Sequence, residues 1–245
     1  MNTTVIMVVG LFVLATFSGM LGLGVAFAAV PFLSLFLPDL VHQVQPLSLL
    51  LNGITATFAA AGFARSGLVQ WKHALPMCIV TTLAAPIGAL LAQVIPQIYI
   101  WYAYFAGVAY LAYRLFKPVK GTVGQPQFKL ALILAVPISV VSGLLGVGPG
   151  FLLLPTLILL QYEPKSAAAI TAVAVTPPSF SALIPHLPTA QWNLHLTVAL
   201  LLAGAIGSFI GARITSLWVP SSWLKRMFGV LIVVMTAYKI YTLMR

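Results

Sequence analysis

The sequence predicts an all-α polytopic membrane protein built from two repeats of about four helical segments each. Composition is the first reason: of 245 residues, 61% are apolar and 6% charged, where an ordinary soluble domain is about 25% charged. The second is that the apolar residues gather in runs long enough to cross a bilayer, which takes roughly 20 residues of helix. The third is a glycine-rich motif that returns, with its surroundings, in the second half of the chain.

In chain order, the apolar segments fall at 4–37, 44–64, 71–95, 97–116, 129–161, 166–186, 193–217 and 221–242. The first follows Met1-Asn2-Thr3-Thr4, which carries no Lys or Arg. A secretory signal has a basic start and a short apolar stretch, so this longer run reads as a membrane segment, with an outward-facing start allowed. Segments one and five are each far too long for one simple span. Each has a glycine cluster at its centre: Gly19, Gly22 and Gly24, then Gly143, Gly146, Gly148 and Gly150. Each is expected to be two half-helices joined by a glycine-rich turn. Such a break is tolerable at membrane depth only inside protein or beside a wet cavity. Segments three and seven open on Gln70-Trp71 and Gln191-Trp192. In segment six, Pro177-Pro178 removes two backbone donors and is expected to break the helix. The long polar stretch from Lys117 to Gln127 marks a linker. The chain divides accordingly into a first membrane repeat at 1–116, a linker at 117–128 and a second repeat at 129–245.

The repeats are legible residue by residue. Ser18-Gly19-Met20-Leu21-Gly22-Leu23-Gly24, then Pro31, matches Ser142-Gly143-Leu144-Leu145-Gly146-Val147-Gly148, then Pro155, each 124 positions on. The two acids, Asp39 and Glu163, keep the same spacing. Gln70-Trp71 falls on Gln191-Trp192 and Ile87-Gly88 on Ile206-Gly207. Charge then argues for orientation. If every segment crosses, Arg65, Lys72, Arg114, Lys117, Lys120, Lys129, Lys239 and Arg245 share one side, against Lys165, Arg213, Lys225 and Arg226. If segments one and five each return to their starting side, all but Lys239 and Arg245 gather on one side. Basic residues favour the cytoplasmic face, so the second arrangement is expected. It makes the repeats inverted, puts both termini outside and leaves the linker in the cytoplasm of a cell with the protein in its inner membrane.

Two copies of S-G-x-L-G-x-G…P, each followed by Q-W and then I-G, resemble the sulfite exporter TauE/SafE family, and the resemblance covers nearly the whole chain. Where that family usually carries a glycine triplet, Gly24-Val25-Ala26 and Gly148-Pro149-Gly150 depart from it. The resemblance implies a permease for sulfite, sulfonates or related sulfur-containing anions. An anion channel or facilitator, and a transporter of a small non-sulfur carboxylate, stay open as alternatives.

The residues themselves lead to anion chemistry as well. A half-helix that starts inside a membrane presents unpaired N–H groups and a partial positive charge, which bind anions without a charged side chain. The segments starting near Val25 and Pro149 supply two such ends. Glycines let a ligand approach the backbone, or let helices pack closely; their duplication in over-long segments favours the site. The expected substrate-binding residues are Gly22, Gly24, Val25, Ser48, Asn52, Gly146, Gly148, Pro149, Gly150, Thr171 and Thr176. Ser48 and Asn52 lie one turn apart in segment two, and Thr171 stands at the repeat position of Ser48, followed by Thr176 and Ser179. Trp71 and Trp192 read first as interfacial anchors and second as gates.

The same inventory excludes other classes. Only two acids are present, so no carboxylate pair is available for hydrolysis or metal binding. His42, His73, His186 and His195 lack metal-ligand spacing, and no nucleophile–base pair is seen. No catalytic residue, metal or cofactor is expected. The net charge of +10 reads as topology rather than nucleic-acid binding. The expected partners are a small anion and the lipid bilayer.

Overall fold

A computed structural model of the chain describes residues 3–96, 98–100, 102, 103, 106, 125–220 and 223. Most of segments 97–116 and 221–242, most of the linker and the basic residues within them lie outside the described residues. The described part is helical, without a strand. In order come α1 (Thr3–Leu21), α2 (Ala26–Leu33), a π-helical turn (Leu40–Val44) and α3 (Gln45–Ala64). Then follow α4 (Trp71–Val94), α5 (Phe128–Leu145), α6 (Gly150–Leu159), α7 (Pro164–Leu183), a 3₁₀ turn (Ile184–His186) and α8 (Leu194–Leu217). Among the described residues, six helices are long and apolar enough to cross a membrane: Thr3–Leu21, Leu40–Ala64, Trp71–Val94, Phe128–Leu145, Pro164–His186 and Leu194–Leu217.

Burial is inverted relative to a soluble domain. Large apolar side chains face outward, with Leu83 72% and Val94 77% exposed, while Ser48, Asn52, Thr55, Thr171 and Ser179 are buried. Lipid solvates the outer face. Inside, small and hydroxyl-bearing residues let backbones approach, as helix packing in membranes requires. A Cβ on Gly19 would lie 2.3 Å from the Ser208 carbonyl oxygen, and one on Gly143 would lie 2.1 Å from that of Ala85. These two glycines of the clusters therefore serve helix packing, α1 on α8 and α5 on α4.

The order of contacts fixes helix directions. Along α1 and α8 they advance together: a Cβ on Gly207 would meet Phe12 and Thr16, and one on Gly211 would meet Thr16 and Met20. They also advance together along α3 and α8, from Gly204 against Thr55 to Ser66 bonded to Ser216 at 2.9 Å. So α1, α3 and α8 run in one sense. His73 stacks on Phe128 at 4.6 Å near the starts of α4 and α5, and Gly88 packs on Val140 further along. Thr81 bonds to Ala174, and Gln93 to His186, along α4 and α7. So α4, α5 and α7 also run together. Against α3, α7 runs the other way: Asn52 meets Ser179, and the chain just before α3 meets the chain just after α7, where Gln191 N–H donates to the His42 carbonyl at 2.8 Å.

Pro177-Pro178 does not break its helix: α7 runs through both prolines to Leu183. The reason is local repair. Pro178 cannot donate to the carbonyl four residues back, which is that of Ala174. The Thr81 hydroxyl of α4 donates to that oxygen at 2.9 Å. A neighbouring helix thus replaces the lost backbone bond.

The two acids have a common structural job. Asp39 caps the π-helical turn, accepting from the N–H groups of Val41 (3.1 Å) and His42 (2.9 Å). Glu163 caps α7, accepting from Ser166 N–H at 3.0 Å. Asp39 Oδ2 also meets His42 Nδ1 at 2.8 Å. Burial acts to raise the Asp39 pKa, but the His42 and Val41 hydrogen bonds and the His42 charge hold it below the ordinary value. A lowered folded pKa means stability that is present above the unfolded value, about 3.9, and is lost as pH falls through the folded value. Asp39→Ala should cost roughly 0.5–2 kcal/mol, the usual range for a cap, at pH 7. In melting curves the gap between wild type and variant should shrink below about pH 4. A gap that persists unchanged at pH 3 would show that the carboxylate is not the cap.

Candidate functional site

Each glycine break is a helix stop followed by a helix start. Gly22 and Gly146 have φ of +65° and +66°, the left-handed region that suits glycine. Gly22 N–H bonds to Gly19 O and Leu23 N–H to Ser18 O; Gly146 and Val147 repeat this with Gly143 and Ser142. These are paired Schellman stops, and they end α1 and α5. Gly24 and Gly148, both at φ +69°, then turn the chain into α2 and α6. Val25 and Pro149 are the N-cap residues.

The two breaks meet. A Cβ on Gly150 would lie 2.2 Å from the Leu23 carbonyl oxygen. Phe27 and Phe151, which sit 124 positions apart in the first turns of α2 and α6, stack with ring centroids 6.4 Å apart and 8° between planes. Residues at equivalent repeat positions therefore face each other, and the N-terminal ends of both short helices are directed to the same buried region.

Asn52 stands between the breaks. It is fully buried. Its Oδ1 accepts from Ala26 N–H at 2.8 Å, in the first turn of α2, and its Nδ2 donates to Ser179 Oγ at 2.8 Å on α7. A Cβ on Gly24 would lie 2.2 Å from Oδ1, and one on Gly148 would lie 2.2 Å from Nδ2. Thr55, one turn on, accepts from Val25 N–H at 3.1 Å. Ser18 Oγ donates to the Gly24 carbonyl. Gln45, one helical face with Ser48 and Asn52, donates to the Leu144 carbonyl at 3.2 Å and packs on Gly146. No acidic side chain contributes to these contacts; a helix end buried this way offers positive potential without a counter-charge.

Of the residues expected from sequence, Gly22, Gly24, Val25, Asn52, Gly146, Gly148, Pro149 and Gly150 lie at the two breaks. Ser48 and Thr171 are fully buried, and neither hydroxyl has a hydrogen-bond partner among the described residues. Thr176 is not brought in by its hydroxyl, which donates to Ala172 O in its own helix at 3.0 Å. Such bonding back to i−4 is common for Thr in apolar helices. Thr55, Ser179, Gln45 and Ser18 join the site without having been singled out as binding residues. The spacing 45, 48, 52, 55 in an otherwise apolar helix is the signal that finds two of the four, Gln45 and Thr55.

The remaining features lie elsewhere. Trp71 is 52% exposed, as an interfacial anchor is. Trp192 lines a cavity of about 260 Å³ with Gln43, Gln191, Asn193, Leu196 and Thr197. Gln43 Nε2 donates to Gln191 Oε1 across it at 3.0 Å, joining the two halves. The histidines stay apart: His42 pairs with Asp39, His73 stacks on Phe128 and meets Tyr162 edge-on, and His186 meets Gln93 at 2.7 Å. Among the described residues no group of three or more His, Cys, Asp or Glu could hold a metal.

Comparison with known proteins agrees with the transporter architecture. The family described as Sulfite exporter TauE/SafE matches the chain over residues 6–239. The chain is 27% identical over 217 residues to a protein of Sinorhizobium fredii (strain NBRC 101917 / NGR234) described as "Probable membrane transporter protein y4hK". That match covers 78% of this chain and 80% of the relative. No solved structure matches.

Proposed function

The chain belongs to the sulfite exporter TauE/SafE family, a family of membrane transporters rather than enzymes, and from that premise we propose a permease for sulfite, sulfonates or related sulfur-containing anions. It works by alternating access about the site where the two glycine breaks meet. The observation that carries this reading is the convergence of two helix N-termini, marked by the Phe27–Phe151 stack, on a buried region bridged by Asn52. Helix ends of this kind favour an anion through backbone N–H groups and dipole.

The two repeats are inverted in this reading. The common sense of α1, α3 and α8, opposite to that of α5 and α7, supports it, because a segment between two parallel helices returns to its starting side. The positive-inside count then places linker 117–128 in the cytoplasm and both termini outside the inner membrane. Alternating access follows from rocking one repeat against the other, as is common for inverted-repeat transporters. The Gln43–Gln191 bond between halves must open in each cycle.

Ligand-dependent melting of the detergent-purified protein tests the substrate class. Sulfite, thiosulfate and sulfoacetate are compared with acetate, phosphate and chloride. A substrate at about 100 times its dissociation constant stabilises by roughly 2.7 kcal/mol, a shift of several degrees. A shift from at least one sulfur anion and none from the controls is expected. A shift from acetate or phosphate alone would overturn the sulfur-anion assignment and leave the permease architecture standing.

A further inference from the structure

We propose that the two breaks are chemically unequal, and that the substrate oxyanion binds at the second, on the N-terminus of α6, held by the hydroxyls of Ser48 and Ser142. This deepens the permease reading and rests on it.

The first break consumes its own polar groups. Ala26 N–H is capped by Asn52 Oδ1, Val25 N–H by Thr55 Oγ1, and the Gly24 carbonyl receives the Ser18 hydroxyl. The second break lacks all three arrangements. Pro149 stands where Val25 does and has no N–H. Thr176, 124 positions after Asn52, is bonded back to Ala172 in its own helix. Ser142, 124 positions after Ser18, is fully buried, and its hydroxyl has no partner among the described residues. Only one side chain can occupy a position on the pseudo-twofold axis, and Asn52 of the first repeat holds it. The symmetry of the backbone therefore cannot extend to the capping groups.

Ser48 completes the set. It too is fully buried and unpartnered among the described residues. It sits on α3 between Gln45 and Asn52, one turn from each. A Cβ on Gly146 would lie 2.5 Å from Gln45, and one on Gly148 would lie 2.2 Å from Asn52. Residues 45, 48 and 52 share a helix face, so Ser48 faces the stretch 146–148. Buried hydroxyls without partners are uncommon and call for an occupant. Each can donate one O–H, and the Gly150 N–H in the first turn of α6 is a further donor of the kind a helix start leaves over. Two buried hydroxyls and a helix-start N–H beside the stretch 146–150, with no carboxylate among them, are the donor set that a sulfite or sulfonate group takes. Thr171 is also buried and unpartnered, but it lies one turn from Ala168, which packs on Gly22, beside the break whose N–H groups are already capped.

Titration calorimetry of the full chain in detergent, with sodium sulfite and with sulfoacetate, tests this together with melting temperatures without ligand. Ser48→Ala and Ser142→Ala should each weaken binding by roughly tenfold, as losing a hydrogen bond to a charged group does. Both should leave the unliganded melting temperature unchanged or raised, because each removes an unsatisfied buried group. Thr171→Val should weaken binding less than either serine variant does. An equal loss in Thr171→Val overturns the inequality of the breaks. Unchanged affinity in the Ser48→Ala/Ser142→Ala double variant, whatever its melting temperature, overturns this site and leaves the permease reading intact. Wild-type protein that binds neither probe overturns the sulfite and sulfonate assignment on which this site rests, and leaves the permease architecture standing.

Discussion

Gly148→Ala is expected to be among the most damaging single-methyl changes in the protein. Two separate physical effects add. The residue sits at φ +69°, where an L side chain costs roughly 1–2 kcal/mol. Its new Cβ would also lie 2.2 Å from Asn52 Nδ2, and forcing a methyl into a packed interior costs typically about 1–3 kcal/mol. Gly67→Ala isolates the first effect, because Gly67 has the same φ of +69° with nothing within 4 Å of a Cβ. Both variants should melt below wild type, Gly148→Ala by several degrees more. Transport in proteoliposomes should be lost in Gly148→Ala and kept in Gly67→Ala. Equal melting temperatures for the two would show that the break accommodates a side chain and that the close approach of Asn52 is not required.

Asn52 should separate stability from transport. Asn52→Ala leaves the buried Ala26 N–H without its acceptor and Ser179 without its donor. An unsatisfied buried group costs about 1–3 kcal/mol, so the variant should be less stable and inactive. Asn52→Asp keeps an acceptor for Ala26 N–H at a helix N-terminus, where a carboxylate is favoured. It should therefore fold better than Asn52→Ala. It also brings a negative charge against the place proposed for the anion. Juxtaposed like charges cost several kcal/mol, so sulfite affinity should fall by roughly a hundredfold. A folded Asn52→Asp protein that transports like wild type would remove Asn52 from the substrate path.

Much of this was legible in the chain. The starts and ends of α3, α4 and α8 fall within a residue or two of the apolar runs, because lipid demands continuous helix wherever the backbone is unaccompanied. The glycine clusters located both helix breaks. The matching positions of Asp39 and Glu163 marked them as one repeated feature, while their work as helix caps needed the structure. Other readings needed neighbours. Pro177-Pro178 looked like a break because the missing donors belong to α7, while the repairing hydroxyl, Thr81, belongs to α4. Thr176 looked like a ligand by type and position, yet its hydroxyl returns to its own backbone. Gly19 and Gly143 belong to the breaks through their carbonyls and also admit the backbones of α8 and α4, which the sequence did not show.

The sequence by itself determined what short-range physics controls: that the chain is helical and lives in lipid, where α3, α4 and α8 start and stop, and which residues are too polar for their surroundings. Apolar burial, glycine conformation and the absence of charge act over a few residues and can be read along a line. Only the tertiary structure decided which hydroxyl repairs which helix, that Phe27 meets Phe151, and that Asn52 fills the junction of the breaks while Ser48 and Ser142 keep hydroxyls without partners among the described residues. Hydrogen-bond partners in an apolar interior are scarce. Their pairing depends on which helices lie side by side, and two copies of one motif become unequal as soon as a single amide takes the position between them.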